Sequence, residues 1–226
     1  MVEFARVALA VALKDLAIEW RTRIALVSTL AFAVLVAAVL YFARDPTVVS
    51  SLDAAPGALW VTFVFAAMVA LNRGFALEHE NRALDGILLT PAPRSAVFVG
   101  KALGNLVFVG VIELVSLPLF ILFYDVPLWH RLPSLLGVIA MSTVALVTVG
   151  TLFSSMAART RFAEFMLPLL LLPFLVPPVI GGVQLTVAVL ADRPLSEASG
   201  WIKLLGAFDI TFVSLSVFLF EATLDQ

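Results

Sequence analysis

IALVSTLAFAVLVAAVLYFA, residues 24–43, runs for twenty positions without one charged side chain. Coiled as a helix it rises about 30 Å, the depth of a bilayer's hydrocarbon core. Arg44-Asp45-Pro46 closes it on one side and Arg21-Thr22-Arg23 on the other. This stretch therefore reads as a membrane span, and it sets the solvent against which the rest of the chain is judged.

Five further spans follow from the same test. They cover residues 54–71, 102–124 (interrupted only by Glu113 and Pro118), 135–158 (rich in Ser and Thr), 165–191 and 202–220 (with Lys203 and Asp209 inside). The fifth carries Pro168, Pro173, Pro177, Pro178, Gly181 and Gly182, so a straight helix is not expected there. Freed carbonyls need partners inside the protein, because lipid offers none, and a kinked or broken, partly re-entrant element is predicted. Composition agrees with a bilayer as the main solvent. Of 226 residues 62% are hydrophobic and 13% charged, and the mean hydropathy is +1.09. A soluble domain of this size cannot hide so much apolar surface in one core. The expected fold is an all-α membrane protein, one transmembrane domain over residues 1–226.

Residues 3–23 differ from the spans. On a helical wheel Leu9, Leu13, Leu16 and Trp20 form one stripe and Phe4, Val7, Val11 and Ile18 another, with Arg6, Lys14, Asp15, Glu19 and Arg21 between them. Such a helix suits the membrane interface, one stripe towards lipid and one towards the bundle; the alternative is a plain extension of the first span. No cleavable signal peptide is expected, since acidic and basic residues are mixed through this segment.

Basic residues assign the sides. The N-terminal segment (Arg6, Lys14, Arg21, Arg23), the 72–101 loop (Arg73, Arg82, Arg94, Lys101) and the loop after span four (Arg159, Arg161) hold ten, against four at Arg44, Arg131, Arg193 and Lys203. The positive-inside rule then places both termini and the 72–101 loop in the cytoplasm. That loop, NRGFALEHENRALDGILLTPAPRSAVFVGK, is the longest charged interruption in the chain. Leu84, Ile87 and Leu88 recur at helical spacing within residues 81–89, and Thr90-Pro91 and Pro93 stop any helix. A short amphipathic helix on a rigid loop suits docking onto another protein; an ordinary solvated loop is the alternative.

Several chemistries are excluded. Cysteine is absent, which removes disulfides and thiolate sites. A net charge of −2 supplies no basic field for nucleic acid. There is no G-x-x-x-x-G-K-[ST] and no H-E-x-x-H, and His79 and His130 fall on opposite sides of the predicted membrane. Glu113 and Asp209 lie deep in spans three and six. Such carboxyls face each other, a substrate path or a partner subunit, or else are neutral groups bonded within the bundle. Gly100-x-x-x-Gly104 permits close helix packing. His130 beside Trp129 offers an imidazole and a ring to a heme porphyrin; a solvated loop histidine at an aromatic belt is the alternative.

Together these features resemble the CcmB family, the heme exporter B membrane subunit of an ABC-type complex. The most specific portion runs from PGALW (56–60) through ALNRGFALEHENRALDGILLTPAP (70–93) to Gly100-Lys101, and MLPLLLLPFLVPP (166–178) is similar to that family's fifth span. More broadly, F-x-x-E, a short helix, L-L-x-x-P and a lysine at the next span resemble ABC-2-type permeases. The resemblance implies an ABC-2-type permease fold whose 72–101 loop forms a coupling helix in a groove of an ATPase subunit. Glu78, Glu80, Arg82, Leu84, Asp85, Gly86, Leu88 and Leu89 would make the contacts. It further implies the ATPase CcmA, the membrane proteins CcmC and CcmD, the heme chaperone CcmE, heme as cargo and ATP on the partner, with no cofactor held by this chain. ABC-2 permeases generally pair, so two copies are expected. The family pattern has Asp-Gly early in the coupling helix, whereas this chain has Glu80-Asn81-Arg82 there and Asp85-Gly86 later. An ABC-2-type exporter of a lipid, polysaccharide or drug, and a non-transporting scaffold, are the other readings.

Overall fold

The computed structural model describes residues 2–81, 92–126, 130–157 and 163–224, and within them the chain is helical with no strand. Among the described residues seven helices follow one another: α1 Val2–Thr22, α2 Ile24–Ala43, α3 Ser51–Asn81, α4 Arg94–Tyr124, α5 Leu132–Ala157, α6 Ala163–Leu190 and α7 Ser199–Leu224. All but α1 are long and apolar enough to cross a membrane. The chain is a multi-pass membrane protein.

Local chemistry sets the helix ends. The Ser50 hydroxyl accepts the Asp53 amide at 3.1 Å and donates to the Asp53 carboxylate at 2.6 Å, capping the start of α3. At the end of α6, Asp192 is left-handed (φ 54°) and its amide donates to Val189 O, while Arg193 N donates to Ala188 O. That pair of bonds is a Schellman stop, with Pro194 after it.

Three boundaries differ from expectation. α3 continues past residue 71 to Asn81, because Ala76, Leu77, Glu78 and Glu80 are good helix formers and no proline intervenes. It thus projects about 15 Å beyond its predicted end. α4 starts at Arg94 rather than 102, directly after Pro93. α6 is one continuous helix, not the broken element its prolines suggested. Each proline removes one amide donor, and the remaining ladder, enforced by a solvent that bonds no backbone, keeps the element helical.

α5 is the most enclosed span and packs chiefly against α6 and α7, whereas α7 is the most exposed. The main core joins α3, α4, α5 and α6 around Trp60, which has no exposed surface. Its indole N–H donates to Thr186 Oγ1 at 2.9 Å, and Thr186 donates on to Gly182 O at 2.7 Å. The ring lies against Gly182, where a Cβ would fall 2.6 Å from indole Cε2. A buried tryptophan needs both a flat neighbour and an acceptor, and α6 supplies them one turn apart.

Candidate functional site

The 72–101 segment enters on α3 and leaves on α4. Glu78 and Glu80 lie on the last turns of α3; their side chains, with Arg82, Leu84, Asp85, Gly86, Leu88 and Leu89, lie outside the described residues. Pro93 sits at the N-cap of α4, and Gly100 and Gly104 bring that helix against α1. A Cβ on Gly100 would stand 2.5 Å from the Ala8 carbonyl oxygen, and one on Gly104 3.5 Å from that of Ala12. The small-residue spacing is therefore a helix-packing device, as expected.

Lys101, the lysine of the motif, is only 3% exposed under α1. Its Nζ lies 3.7 Å from Asp15 Oδ2, and Asp15 Oδ1 takes Lys14 at 2.7 Å. α1 turns Ala8, Val11 and Ala12 inward and leaves Leu9, Leu13 and Trp20 exposed. The two predicted stripes separate in part: Leu9, Leu13 and Trp20 face out and Val11 faces in, but Leu16 packs against the core and Ile18 is exposed.

Two turns apart, interhelical hydrogen bonds join α4 to α5. Asn105 Nδ2 donates to Thr151 Oγ1 at 3.0 Å, and Thr143 Oγ1 lies 2.7 Å from Glu113 Oε2. Glu113 is buried, and its Oε1 has no hydrogen-bond partner. Thr143 Oγ1 is also 2.7 Å from Ile139 O. A hydroxyl has one hydrogen and cannot serve both oxygens. The chain closes when the Glu113 carboxyl itself carries a hydrogen, donated to Thr143, which then donates to Ile139. Asp209 lies on the inner face of α7 with Leu205 and Ser216, half-buried, and its Oδ1 has no hydrogen-bond partner. No hydrogen bond joins the two carboxyls.

On the opposite side His130 is exposed in the turn before α5, and Trp129 lies outside the described residues. The residue that sequence reasoning passed over is Arg131. Its guanidinium grips the Asp192 carboxylate through Nε (2.6 Å) and Nη2 and donates from Nη1 to Leu190 O at 2.7 Å. The hydrogen bond from Arg131 holds the Asp192 carboxyl below its usual range. Likewise the Thr47 hydroxyl and then its amide depress Asp45 in the α2–α3 loop. Near it, Arg44 lies 4.9 Å over the Tyr41 ring and donates to Val49 O at 3.0 Å. The described residues thus form a bundle tied across its helices, with the 72–101 segment joining α3 to α4.

Comparison with known proteins agrees on one family. The model described as "CcmB protein" matches residues 6–226. A protein named heme exporter protein B from Rhodobacter capsulatus is 32% identical over 160 residues, 69% of this chain and 71% of the relative. That of Paracoccus denitrificans is 27% identical over 215 residues (95% and 97%), and that of Pseudomonas aeruginosa 26% over 192 residues (85% and 86%).

Proposed function

Because the chain belongs to the CcmB family, we propose that it is the membrane subunit of an ATP-driven, heme-handling complex serving cytochrome c maturation. The observation that carries the reading is the match over residues 6–226, which takes in every span and the 72–101 segment. In this reading the chain catalyses nothing and holds no cofactor. ATP is bound and hydrolysed on the separate ATPase CcmA, and heme is cargo. CcmC and CcmD sit alongside, and the work done is release of heme-loaded CcmE.

Six crossings return both termini to the side of the 72–101 loop, and the basic residues put that side in the cytoplasm of a bacterial inner membrane. The loop docks on CcmA through Glu78, Glu80, Arg82, Leu84, Asp85, Gly86, Leu88 and Leu89. An ATPase that works as a dimer needs two docking sites, hence two copies. α3 supports transmission: its helical backbone is unbroken between Asn81 and Trp60, about 32 Å, and Trp60 is keyed into α6.

Leu88→Asp tests the coupling assignment. The expected result is loss of CcmA from the purified complex, or ATP hydrolysis that no longer yields CcmE release. Normal cytochrome c maturation in that variant would refute the assignment. Co-purification from membranes tests the family role itself: CcmA with CcmC and CcmD is expected, whereas an ATPase alone would favour an exporter of another cargo.

A further inference from the structure

We propose that the elbow between α1 and α2, residues 20–24, binds the headgroup of an acidic phospholipid in the leaflet on the N-terminal side. At the elbow Arg23 takes a left-handed backbone (φ 54°, ψ −8°). Its amide still donates to Glu19 O at 3.0 Å and its carbonyl accepts Val27 N at 2.9 Å, so helical bonding runs through the corner. That conformation suits glycine and strains a residue with a Cβ. What arginine adds there is a guanidinium, and it is exposed.

Arg21 is exposed as well, and neither Arg21 nor Arg23 makes a side-chain hydrogen bond or ion pair among the described residues. Each guanidinium is therefore open to a phosphate, which it can grip through two N–H groups. The neighbours choose between a free ion and a lipid. Trp20 is 54% exposed, Ile24 60% and Val27 62%. Exposed apolar surface immediately beside the arginines fits an amphiphile, with the tryptophan at headgroup level and the aliphatic residues against an acyl chain. Leu9 and Leu13, also exposed, continue the apolar side along α1. A zwitterionic headgroup would bring its own cation towards two arginines, so an acidic lipid is favoured.

The test is native mass spectrometry of the full chain, or of its complex, released from micelles holding equal phosphatidylglycerol and phosphatidylcholine. Wild type is expected to retain phosphatidylglycerol preferentially, and Arg21→Gln/Arg23→Gln to lose about 25-fold of that preference, roughly fivefold per arginine. Arg6→Gln, about 22 Å away along α1, should leave it unchanged. Thermal melting of the double variant checks folding. Wild-type preference that falls as sodium chloride rises gives an independent reading should that variant not fold. Equal retention of the two lipids, an undiminished preference in the folded double variant, or displacement of the lipid by millimolar inorganic phosphate would overturn the proposal.

Discussion

Glu113 is the residue whose replacement separates structure from function most cleanly. Its carboxyl makes one interhelical contact, 2.7 Å to Thr143, and the nearby Ser116 hydroxyl is engaged by Ile112 O and Glu113 O instead. One interhelical hydrogen bond within a membrane is worth about 0.6 kcal/mol and at most about 1.7. Glu113→Gln keeps an oxygen and keeps a donor, its amide N–H taking the place of the carboxyl hydrogen towards Thr143, so the unfolding free energy should stay within about 0.5 kcal/mol of wild type. Glu113→Leu deletes the bond but also deletes the unpartnered Oε1, and Thr143 keeps Ile139 O. Loss of the bond and relief of the buried oxygen oppose each other, and the net change should be below about 1 kcal/mol. Glu113→Lys puts a lone charge at membrane depth and should cost about 2.5–3.5 kcal/mol. Unfolding of the purified variants in mixed micelles should place Gln and Leu beside wild type and Lys far below. A Leu variant as unstable as Lys would refute the account, since the carboxyl would then hold something that hydrogen-bond counting misses. A stable Leu variant that no longer supports cytochrome c maturation would assign Glu113 a functional part.

Further outcomes follow from the same packing. Thr186→Val should strand the Trp60 N–H and cost about 1–3 kcal/mol; adding Trp60→Phe should change stability by less than the sum of the two single effects, read as a double-mutant cycle. Gly100→Ala drives a Cβ to 2.5 Å from the Ala8 carbonyl oxygen, and displacement of α1 should lower stability by about 1–3 kcal/mol, with faster proteolysis of the N-terminal segment as a second readout. The Asp192 carboxyl is held below its ordinary value of 3.8 by Arg131. Its tie therefore contributes fully above that value and is lost only as pH falls through the lower folded value. The difference in melting midpoint between wild type and Asp192→Asn should thus be present above about pH 5 and shrink in strong acid; no difference at neutral pH would refute the tie.

What could be read in the sequence is what one segment decides alone. The first span matched at both ends because Arg23 and Arg44 flank an uncharged run. Where the end depends on propensity rather than charge, as at residues 72–81, the helix outran the apolar stretch. The prolines of α6 misled for a related reason: proline breaks helices in water, where freed carbonyls can be hydrated, but in lipid a break exposes still more backbone. Pairing was the part that could not be read. Glu113 announced itself as a carboxyl in an apolar run, yet Thr143 is thirty residues away and Thr186 lies 126 residues from Trp60. Such partners follow from the register of two packed helices, which no local pattern encodes. Arg131 counted only as a basic loop residue for the same reason, since its partner Asp192 lies sixty-one residues away. The coupling residues stand at the far end of this scale: in the proposed function their partner is a groove on another chain. The family resemblance can therefore name Leu88 as a contact where the fold of this chain alone cannot, and the Leu88→Asp result bears on the complex rather than on the bundle.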